Sequence, residues 1–417
     1  KMRKVLIIAH LYHASPRVPG LTKYLPEFGW EPVILTTPLG ENPEAHFGPP
    51  NDFKKTTRVV ETFGYSSPYG KRHAASGKQG KVFSLLRFFY RYYREIAQYP
   101  DAEKGWKPFA LSAGSRLLQD EKIDAIISSS SPVTSHLIAS ELKKRHETPW
   151  IADFRDLWTQ NHSYPYSFAR KVLETRLELK TMANADAMIT VSEDWARKLA
   201  TLHQKKVKTI YNGFDPEMLN TGKTPLTPNF SVTYTGQIYR KQDPSKFLVA
   251  LKELIDQGRI PRSRIEVRFY GPHNEQLASC TEKLGLSDIV KQHGVISRQV
   301  SLEKQRESQL LLLLNWEDAK EKGVHTGKIF EYLASQRPIF ATGGFGDDAV
   351  SRLLIETDSG IYCSDKNTIK KVLATFYEEY EKKGSVPYKE NVPKISRYSY
   401  REMAKRFAEI LKKVAKD

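Results

Sequence analysis

One stretch of the sequence decides the fold: His325-Thr-Gly-Lys-Ile-Phe-Glu331-Tyr-Leu-Ala-Ser-Gln-Arg-Pro-Ile-Phe-Ala-Thr-Gly-Gly344. A helix is predicted to begin at Thr326 and Gly327, where the free backbone N–H groups and the helix dipole favour an anion and Lys328 adds a positive charge. Glu331, one turn further on, is placed to accept hydrogen bonds from the two hydroxyl groups of a ribose. The apolar run that follows is predicted as a strand. The stretch therefore outlines a pocket for a sugar nucleotide, with an ordinary capped helix on a sheet as the alternative.

Short apolar runs alternate with helical patterns along both halves of the chain. Strands that are apolar on both faces and separated by helices predict a parallel sheet covered by helices on each side. We therefore predict an α/β protein with two Rossmann-like, doubly wound domains that face a cleft. The predicted strands are Val5–Ala9, Pro32–Thr36, Asp124–Ser128, Trp150–Asp153 and Ala187–Val191 in the first half, and Val232–Thr235, Ile265–Tyr270, Gln309–Leu314 and Pro338–Ala341 in the second.

The length of 417 residues also indicates two domains, because one hydrophobic core rarely holds so many. Gly222–Asn229 is rich in turn-forming residues and is predicted as the linker. The chain ends with an amphipathic helix, Tyr398–Leu411, with Ser399 as its N-cap, which we expect to return to the N-terminal domain. The predicted domains are residues 1–213 with 400–417, and residues 214–399.

Composition limits the class of partner. The net charge of +17 suits phosphorylated small molecules, an anionic membrane surface or nucleic acid. Nucleic acid is disfavoured, because neither zinc-finger spacing nor an aromatic RNA-binding signature occurs. Cys280 and Cys363 lie far apart without ligand-like neighbours, so neither a disulfide framework nor a zinc site is indicated. No apolar run is long enough to span a membrane and no signal-peptide pattern precedes Val5–Ala9, so a cytoplasmic protein is expected.

A basic, aromatic insertion at about residues 65–117 interrupts the alternation. As a helix, Lys81–Arg94 would place Arg87, Arg91 and Arg94 beside aromatic side chains. This pattern is typical of a segment that lies in a membrane interface, here the inner face of the plasma membrane. A core-packing helix whose arginines extend to solvent is the alternative.

Four stretches carry a resemblance to a known family: Lys23–Leu35, Ser128–His136 with Trp150–Trp158, Val207–Asp215, and Lys328–Gly344. In order and spacing they resemble retaining glycosyltransferases of the GT-B fold, in particular the bacterial polysaccharide transferases of family 4, over nearly the whole chain. The resemblance implies a hexosyltransferase-like enzyme. Its C-terminal domain would hold a nucleotide sugar, with a UDP- or GDP-sugar expected, and its N-terminal domain a saccharide or lipid-linked acceptor. It also implies that no metal ion and no separate cofactor take part.

The chemistry of this family explains the candidate donor-binding residues. Departure of the diphosphate places negative charge on the leaving group, so fixed positive charges and N–H donors are needed there. The family's first-strand loop is commonly glycine-rich, whereas this chain offers Arg17 and Gly20 at that point. For Arg240 and Lys241 a solvated loop is the alternative. The candidates are Arg17, Gly236, Arg240, Lys241, Thr326, Gly327 and Lys328, with Glu331 at the ribose.

The catalytic candidates follow two strands of the N-terminal domain. His136 matches the family position that contacts the donor sugar, and an imidazole can orient a hydroxyl group. Asp153, Arg155 and Asp156 cluster at a predicted strand end, where ligands bind in open parallel sheets. One of the acids is expected to take the proton of the acceptor hydroxyl, with Asp156 slightly favoured over Asp153.

Because the sequence departs from the family pattern at one point, two alternative functions stay open. Many members carry two glutamates eight positions apart, but Gly323 stands eight positions before Glu331, with Glu321 nearby. The first alternative is a sugar-nucleotide epimerase of the same fold. The second is a non-catalytic, basic protein that binds a membrane or nucleic acid on the same scaffold. Donor base, sugar, acceptor, linkage and oligomeric state do not follow from the sequence.

Overall fold

The chain is described by a computed structural model that defines residues 2–12, 15–38, 57–64, 93, 95–161, 164–220, 222, 224–389 and 391–415. It divides into two units, Lys1–Tyr211 with Met403–Asp417, and Asn212–Glu402. Each unit has one parallel sheet with helices packed on it. The predicted α/β class with two Rossmann-like domains is therefore confirmed.

The first unit is built on a seven-stranded parallel sheet in the order β3-β2-β1-β4-β5-β6-β7. Val5 to Ile8 in the interior strand β1 are fully buried, as expected for a strand covered by helices on both faces. The strand order reverses between β1 and β4, and ligands bind at such switch points in open α/β sheets. Its elements are β1 Arg3–Ile8, α1 Arg17–Tyr24, β2 Trp30–Thr36, β3 Arg58–Glu61, α2 Lys107–Asp120, β4 Ala125–Ser130, α3 Thr134–His146, β5 Trp150–Phe154, α4 Phe168–Met182, β6 Ala187–Thr190, α5 Glu193–His203 and β7 Val207–Thr209.

The second unit has a six-stranded parallel sheet in the order β10-β9-β8-β11-β12-β13. Its central strand β11 consists of five leucines, all buried. The strand order reverses between β8 and β11, so the carboxyl ends of these strands mark the second switch point. Its elements are β8 Phe230–Thr235, α6 Ser245–Asp256, β9 Ile265–Tyr270, α7 Glu275–Lys283, β10 Val290–Gln292, α8 Arg298–Arg306, β11 Leu310–Leu314, α9 Gly327–Ala334, β12 Ile339–Thr342, α10 Ala349–Thr357, β13 Gly360–Cys363, α11 Lys366–Lys383 and α12 Val392–Ile395.

The last helix, α13 (Tyr400–Val414), belongs to the first unit from Met403 onward. The Ser399 hydroxyl accepts a hydrogen bond from the Glu402 N–H at 3.2 Å, so the predicted N-cap is confirmed. Phe407 and Leu411 are fully buried. The predicted return of the C-terminal helix to the N-terminal unit is thus also confirmed. Short 3₁₀ helices complete the structure: Leu25–Phe28, Lys104–Trp106, Pro216–Asn220, Arg262–Arg264, Ala319–Glu321 and Ser396–Tyr398.

Two segments differ from the sequence prediction or fall outside the structure. The predicted linker Gly222–Asn229 belongs to the second unit, where the Thr227 N–H donates to the Glu307 carbonyl oxygen at 2.9 Å. The predicted interfacial helix Lys81–Arg94 lies outside the described residues except for Tyr93. Among the helices that are described, none has the length and apolar character required of a membrane span.

Candidate functional site

The candidate donor site begins at the carboxyl end of β8. Gly236 follows this strand with a φ of +96°, a conformation that glycine adopts without strain. A Cβ atom at Gly236 would lie 3.5 Å from the amine nitrogen of Lys328, so the lysine side chain reaches this turn from α9. A Cβ atom at Gly271, after β9, would lie only 2.4 Å from the Gly236 carbonyl oxygen. Two glycine turns therefore pack together at the second switch point, next to a cationic side chain.

The Lys328 ammonium is held by an aromatic ring and two oxygen atoms. It donates hydrogen bonds to the Tyr234 hydroxyl and, at 3.1 Å, to the Gln237 carbonyl oxygen. It also lies 4.0 Å from the centroid of the Tyr234 ring. Burial lowers the pKa of Lys328 to about 7, while the nearby Glu331 carboxylate opposes this shift. The amine therefore exchanges its proton near neutral pH, and a bound anion would favour the charged form.

Helix α9 begins where the sequence predicted a helix start. Gly327 is its first residue and Thr326 is its N-cap residue. The Thr326 hydroxyl is buried but has no hydrogen-bond partner among the described residues. It does not cap the helix, so the N–H groups of the first turn have no side-chain acceptor from this residue. The first turn of α9 thus presents donors suited to an anion, as in phosphate sites at helix N-termini.

Glu331 lies one turn into α9 and is oriented by two side chains from α8. Its Oε1 accepts a hydrogen bond from Arg298 Nε at 3.2 Å, and its Oε2 accepts one from Gln305 Nε2 at 3.4 Å. Gln305 is fully buried and also donates to Thr235 Oγ1 at 3.0 Å and accepts from Ser335 Oγ at 2.8 Å. Gln305 therefore joins the end of β8 to α9. The sequence prediction missed this residue, although a glutamine on the buried face of an amphipathic helix is a detectable signal.

The loop after Gly236 carries the two predicted basic residues in different environments. Lys241 pairs with the Asp318 carboxylate, so its charge is partly neutralised. Arg240 is exposed and makes no hydrogen bond or ion pair with the part of the chain that the structure describes. Arg240 and Lys328 are thus the cations best placed to meet a ligand. In the described ranges no group of three or more His, Cys, Asp and Glu side chains could hold a metal ion.

In the first unit, Arg17 and Asp153 form a buried ion pair. Arg17 Nη2 and Nε lie 2.8 and 3.0 Å from the two carboxylate oxygens, and the side chains are 1% and 2% exposed. Asp153 also accepts a hydrogen bond from Ser129 Oγ at 3.0 Å. Arg17 Nη1 donates to the Tyr211 carbonyl oxygen at 3.0 Å and contacts Met403 Sδ at 3.5 Å.

This geometry bears on two predictions. Arg17 was expected to bind the donor, and Asp153 was a catalytic candidate. Because the planar guanidinium matches the carboxylate through two parallel hydrogen bonds, each group satisfies the other inside the unit. Both side chains are buried and paired with each other in this structure, and donor binding by Arg17 and catalysis by Asp153 stay predictions.

His136, a further catalytic candidate, is also buried. Its ring is fully enclosed, with its Nδ1 2.7 Å from Ser128 Oγ and its centroid 4.6 Å from that of Phe154. Trp150 Nε1 donates to the same serine at 2.8 Å. Burial lowers the pKa of His136 to about 3, so the ring is neutral at physiological pH. His136 contacts Ser128 of β4, and its predicted contact with a donor sugar stays a prediction.

Asp156 is the one exposed member of the three catalytic candidates. It follows the carboxyl end of β5, two positions beyond the strand. The neighbouring Arg155 donates to the carbonyl oxygens of Ser130 at 3.0 Å and Ser131 at 2.8 Å, which ties the end of β4 to β5. Asp156 is therefore exposed at the carboxyl end of β5, where Arg155 joins β4 to β5.

Comparisons with known proteins agree with this fold. The profile of the family described as Glycosyltransferase Family 4 matches residues 18–218. No curated protein sequence matches the chain. Among solved structures, sucrose-phosphate synthase from Thermosynechococcus elongatus is 12% identical, with a TM-score of 0.64 over 99% of this chain and 98% of that one. Anabaena HepE in complex with UDP and glucose is 13% identical, with a TM-score of 0.61 over 99% and 100%. The UDP-GlcNAc 2-epimerase from Methanocaldococcus jannaschii is 10% identical, with a TM-score of 0.50 over 98% and 99%.

The chain has the GT-B fold of these structures. Residues 18–218, just under half of the chain, match the Glycosyltransferase Family 4 profile, which supports a glycosyltransferase. Retention of anomeric configuration and a role in bacterial polysaccharide synthesis stay predictions.

Proposed function

We propose that this glycosyltransferase moves a sugar from a UDP- or GDP-sugar to a saccharide or lipid-linked acceptor in cell-surface polysaccharide or glycan biosynthesis. One observation carries the proposal: a single helix, α9, presents an open first turn, the Lys328 ammonium and the oriented Glu331 carboxylate at the switch point of the second sheet. These are the groups that a diphosphate and a ribose need. HepE, which shares the fold, was solved with UDP.

The donor residues have separate chemical tasks in this proposal. As the bond between the anomeric carbon and the diphosphate breaks, Lys328 and the N–H groups of the first turn of α9 stabilise the charge that develops on the leaving group. Arg240 supplies a second cation. Glu331 accepts hydrogen bonds from the ribose hydroxyls, with Arg298 and Gln305 fixing its position. Transfer with retention and without a metal ion is proposed from the family resemblance.

On the acceptor side, we assign the proton acceptor to Asp156. The acceptor hydroxyl forms the new bond to the anomeric carbon and gives its proton to this carboxylate. The buried residues Asp153 and His136 act as positioning residues, because they hold Ser129 and Ser128 at the end of β4. Asp156 is favoured because its carboxylate is exposed at the sheet edge.

Thermal unfolding of the purified protein with UDP, GDP, ADP, CMP and their sugars tests the donor site. A ligand at a hundred times its dissociation constant is expected to stabilise the folded state by about 2.7 kcal/mol. Glu331→Ala removes hydrogen bonds to the ribose and is expected to weaken binding about tenfold, which leaves about 1.4 kcal/mol at the same concentration. Glu282→Ala, an exposed acid on α7, is the matched control and should behave as wild type. If no nucleotide stabilises the protein, the proposal fails.

The fold match to a UDP-GlcNAc 2-epimerase keeps epimerisation of a sugar nucleotide as a second candidate. An epimerase converts the nucleotide sugar in the absence of any acceptor, whereas a transferase consumes it in proportion to acceptor. Nuclear magnetic resonance of the donor incubated alone with the protein separates the two reactions. Absence of nucleotide binding together with retained binding to anionic vesicles or nucleic acid would instead favour the non-catalytic scaffold.

A further inference from the structure

Helix α4 of the first unit buries three of its charged side chains and exposes several of its apolar side chains. Arg170, Glu174 and Glu178 are buried, with exposures of 5%, 1% and 0%. Four large apolar side chains of the same helix are exposed. They are Phe168 at 82%, Val172 at 37%, Leu173 at 54% and Leu179 at 39%. This is the reverse of a surface helix, which normally turns its apolar face to the core.

Partners within the first unit explain why the charged face is inside. Glu174 accepts a hydrogen bond from Trp158 Nε1 at 3.0 Å. Glu178 accepts hydrogen bonds from the Thr159 N–H at 3.1 Å and from the Thr159 hydroxyl. These bonds hold the loop that follows Asp156. Turning the helix over would leave buried charges without partners, so the orientation of the apolar face is fixed.

The outer face of α4 combines these apolar residues with basic ones. At about 100° per residue, Phe168, Val172 and Leu179 fall within an arc of about 40°, and Leu173 extends the arc to about 140°. Lys171, Arg176 and Lys180 are exposed on the same helix. Both acids of α4 are buried, so its exposed charges are all positive. We refer to this surface, residues 168, 171, 172, 173, 176, 179 and 180, as the α4 face.

A further exposed apolar residue, Ile96, lies in the segment that binds the N-cap residue of α4. The Glu95 carboxylate accepts hydrogen bonds from the N–H and the hydroxyl of Ser167, the N-cap residue of α4. Ile96 and Phe168 stand next to these two residues in the chain and are 75% and 82% exposed. Exposed apolar residues therefore flank both members of this hydrogen-bonded pair.

We propose that the α4 face docks this protein on an anionic lipid surface. A helix that interleaves apolar and basic side chains along one exposed face is the form that lies flat in a membrane interface. A second copy of the chain is disfavoured as the occupant, because it would bring Lys171, Arg176 and Lys180 towards identical charges on a protein whose net charge is +17. The proposal assigns a surface rather than a reaction, and it does not depend on the donor site or on the segment Lys81–Arg94.

Sedimentation with lipid vesicles tests this assignment on the full chain. Wild type is expected to bind phosphatidylcholine vesicles that contain phosphatidylglycerol and to bind pure phosphatidylcholine weakly. The triple variant Lys171→Gln, Arg176→Gln, Lys180→Gln should bind about a hundredfold more weakly, because each basic residue near an anionic leaflet contributes roughly fivefold. The triple variant Phe168→Gln, Val172→Gln, Leu179→Gln should lose at least about tenfold through its smaller apolar area.

The controls separate docking by α4 from the effect of total charge. Lys371→Gln, Lys382→Gln, Lys383→Gln removes three charges from the exposed face of α11 and should bind as wild type. Ile355→Gln, 77% exposed on α10, is the apolar control. Equal binding by all variants, or no vesicle binding by wild type, overturns the proposal. So does analytical ultracentrifugation that finds a wild-type dimer and a monomeric apolar variant, since the α4 face would then join two copies. Nucleotide binding is measured separately, so failure of the donor site leaves this test intact.

Discussion

Replacing Asp153 by alanine is expected to lower the free energy of unfolding of the first unit by about 3–5 kcal/mol. The variant leaves the Arg17 guanidinium, 1% exposed, without its carboxylate partner. It also removes the acceptor of the Ser129 hydroxyl. Urea unfolding followed by tryptophan fluorescence measures the change. Five of the six tryptophans lie in the first unit, with Trp316 in the second, so the signal reports mainly the unit of interest.

Two further variants show whether the cost comes from the unpaired charge. Arg17→Met with Asp153→Leu replaces the ion pair by apolar side chains and should recover most of the lost stability. Asp156→Ala removes an exposed carboxylate three positions away and should change stability by no more than about 0.5 kcal/mol. If Asp153→Ala unfolds at the wild-type urea concentration but no longer binds substrate, the structural role assigned to the pair is wrong.

Binding of a nucleotide sugar is expected to weaken by up to tenfold per pH unit above about pH 7. The pKa of Lys328 is lowered to about 7 by burial, and a bound diphosphate would raise it. Below pH 7 the amine is already protonated, so affinity is constant there. Above pH 7 the protein has to take up a proton when it binds the donor, and this costs affinity. Calorimetric titration across this range measures it, with proton uptake read from buffers of different ionisation enthalpy.

Two substitutions at Lys328 separate its charge from the shape of the site. A guanidinium stays protonated throughout this range, so Lys328→Arg should give an affinity that is independent of pH. Lys328→Met should bind about a hundredfold more weakly below pH 7, again without pH dependence, because the charge is lost at every pH. A nucleotide sugar is the right ligand, since its esterified diphosphate does not titrate near neutral pH. A pH slope that persists in Lys328→Met would assign the proton to another group.

The sequence predicted the elements better than the direction of their side chains. The strand at Gln309–Leu314 and the helix start at Gly327 were located within one residue, because a run of leucines and a glycine at a helix start are local signals. Asp153 and Asp156 were nearly indistinguishable by the same criteria. Asp153 lies inside β5 and meets Arg17, which is 136 positions earlier in the chain, whereas Asp156 lies beyond the strand end. Pairing over such a distance leaves no pattern in a single sequence.

The side-chain orientation of helix α4 also could not be predicted from the sequence. This helix spans Phe168–Met182. Periodicity alone would place its apolar residues in the core. The observed orientation depends on Trp158 and Thr159, which bind Glu174 and Glu178 from a loop. Such hydrogen bonds join a loop to a helix in the folded structure, so the sequence of the helix alone does not reveal them.

The contacts of Arg17 also limit where crossover points can be placed in a chimeric protein. Its guanidinium holds the Tyr211 carbonyl oxygen, at the last residue before the chain leaves the first unit, and contacts Met403, the first residue after it returns. One side chain thus contacts both the residue at which the chain leaves the first unit and the residue at which it re-enters it. A chimeric transferase made by exchanging the first unit should therefore carry Arg17, Asp153, Tyr211 and Met403 from the same parent, with crossover points placed outside this set.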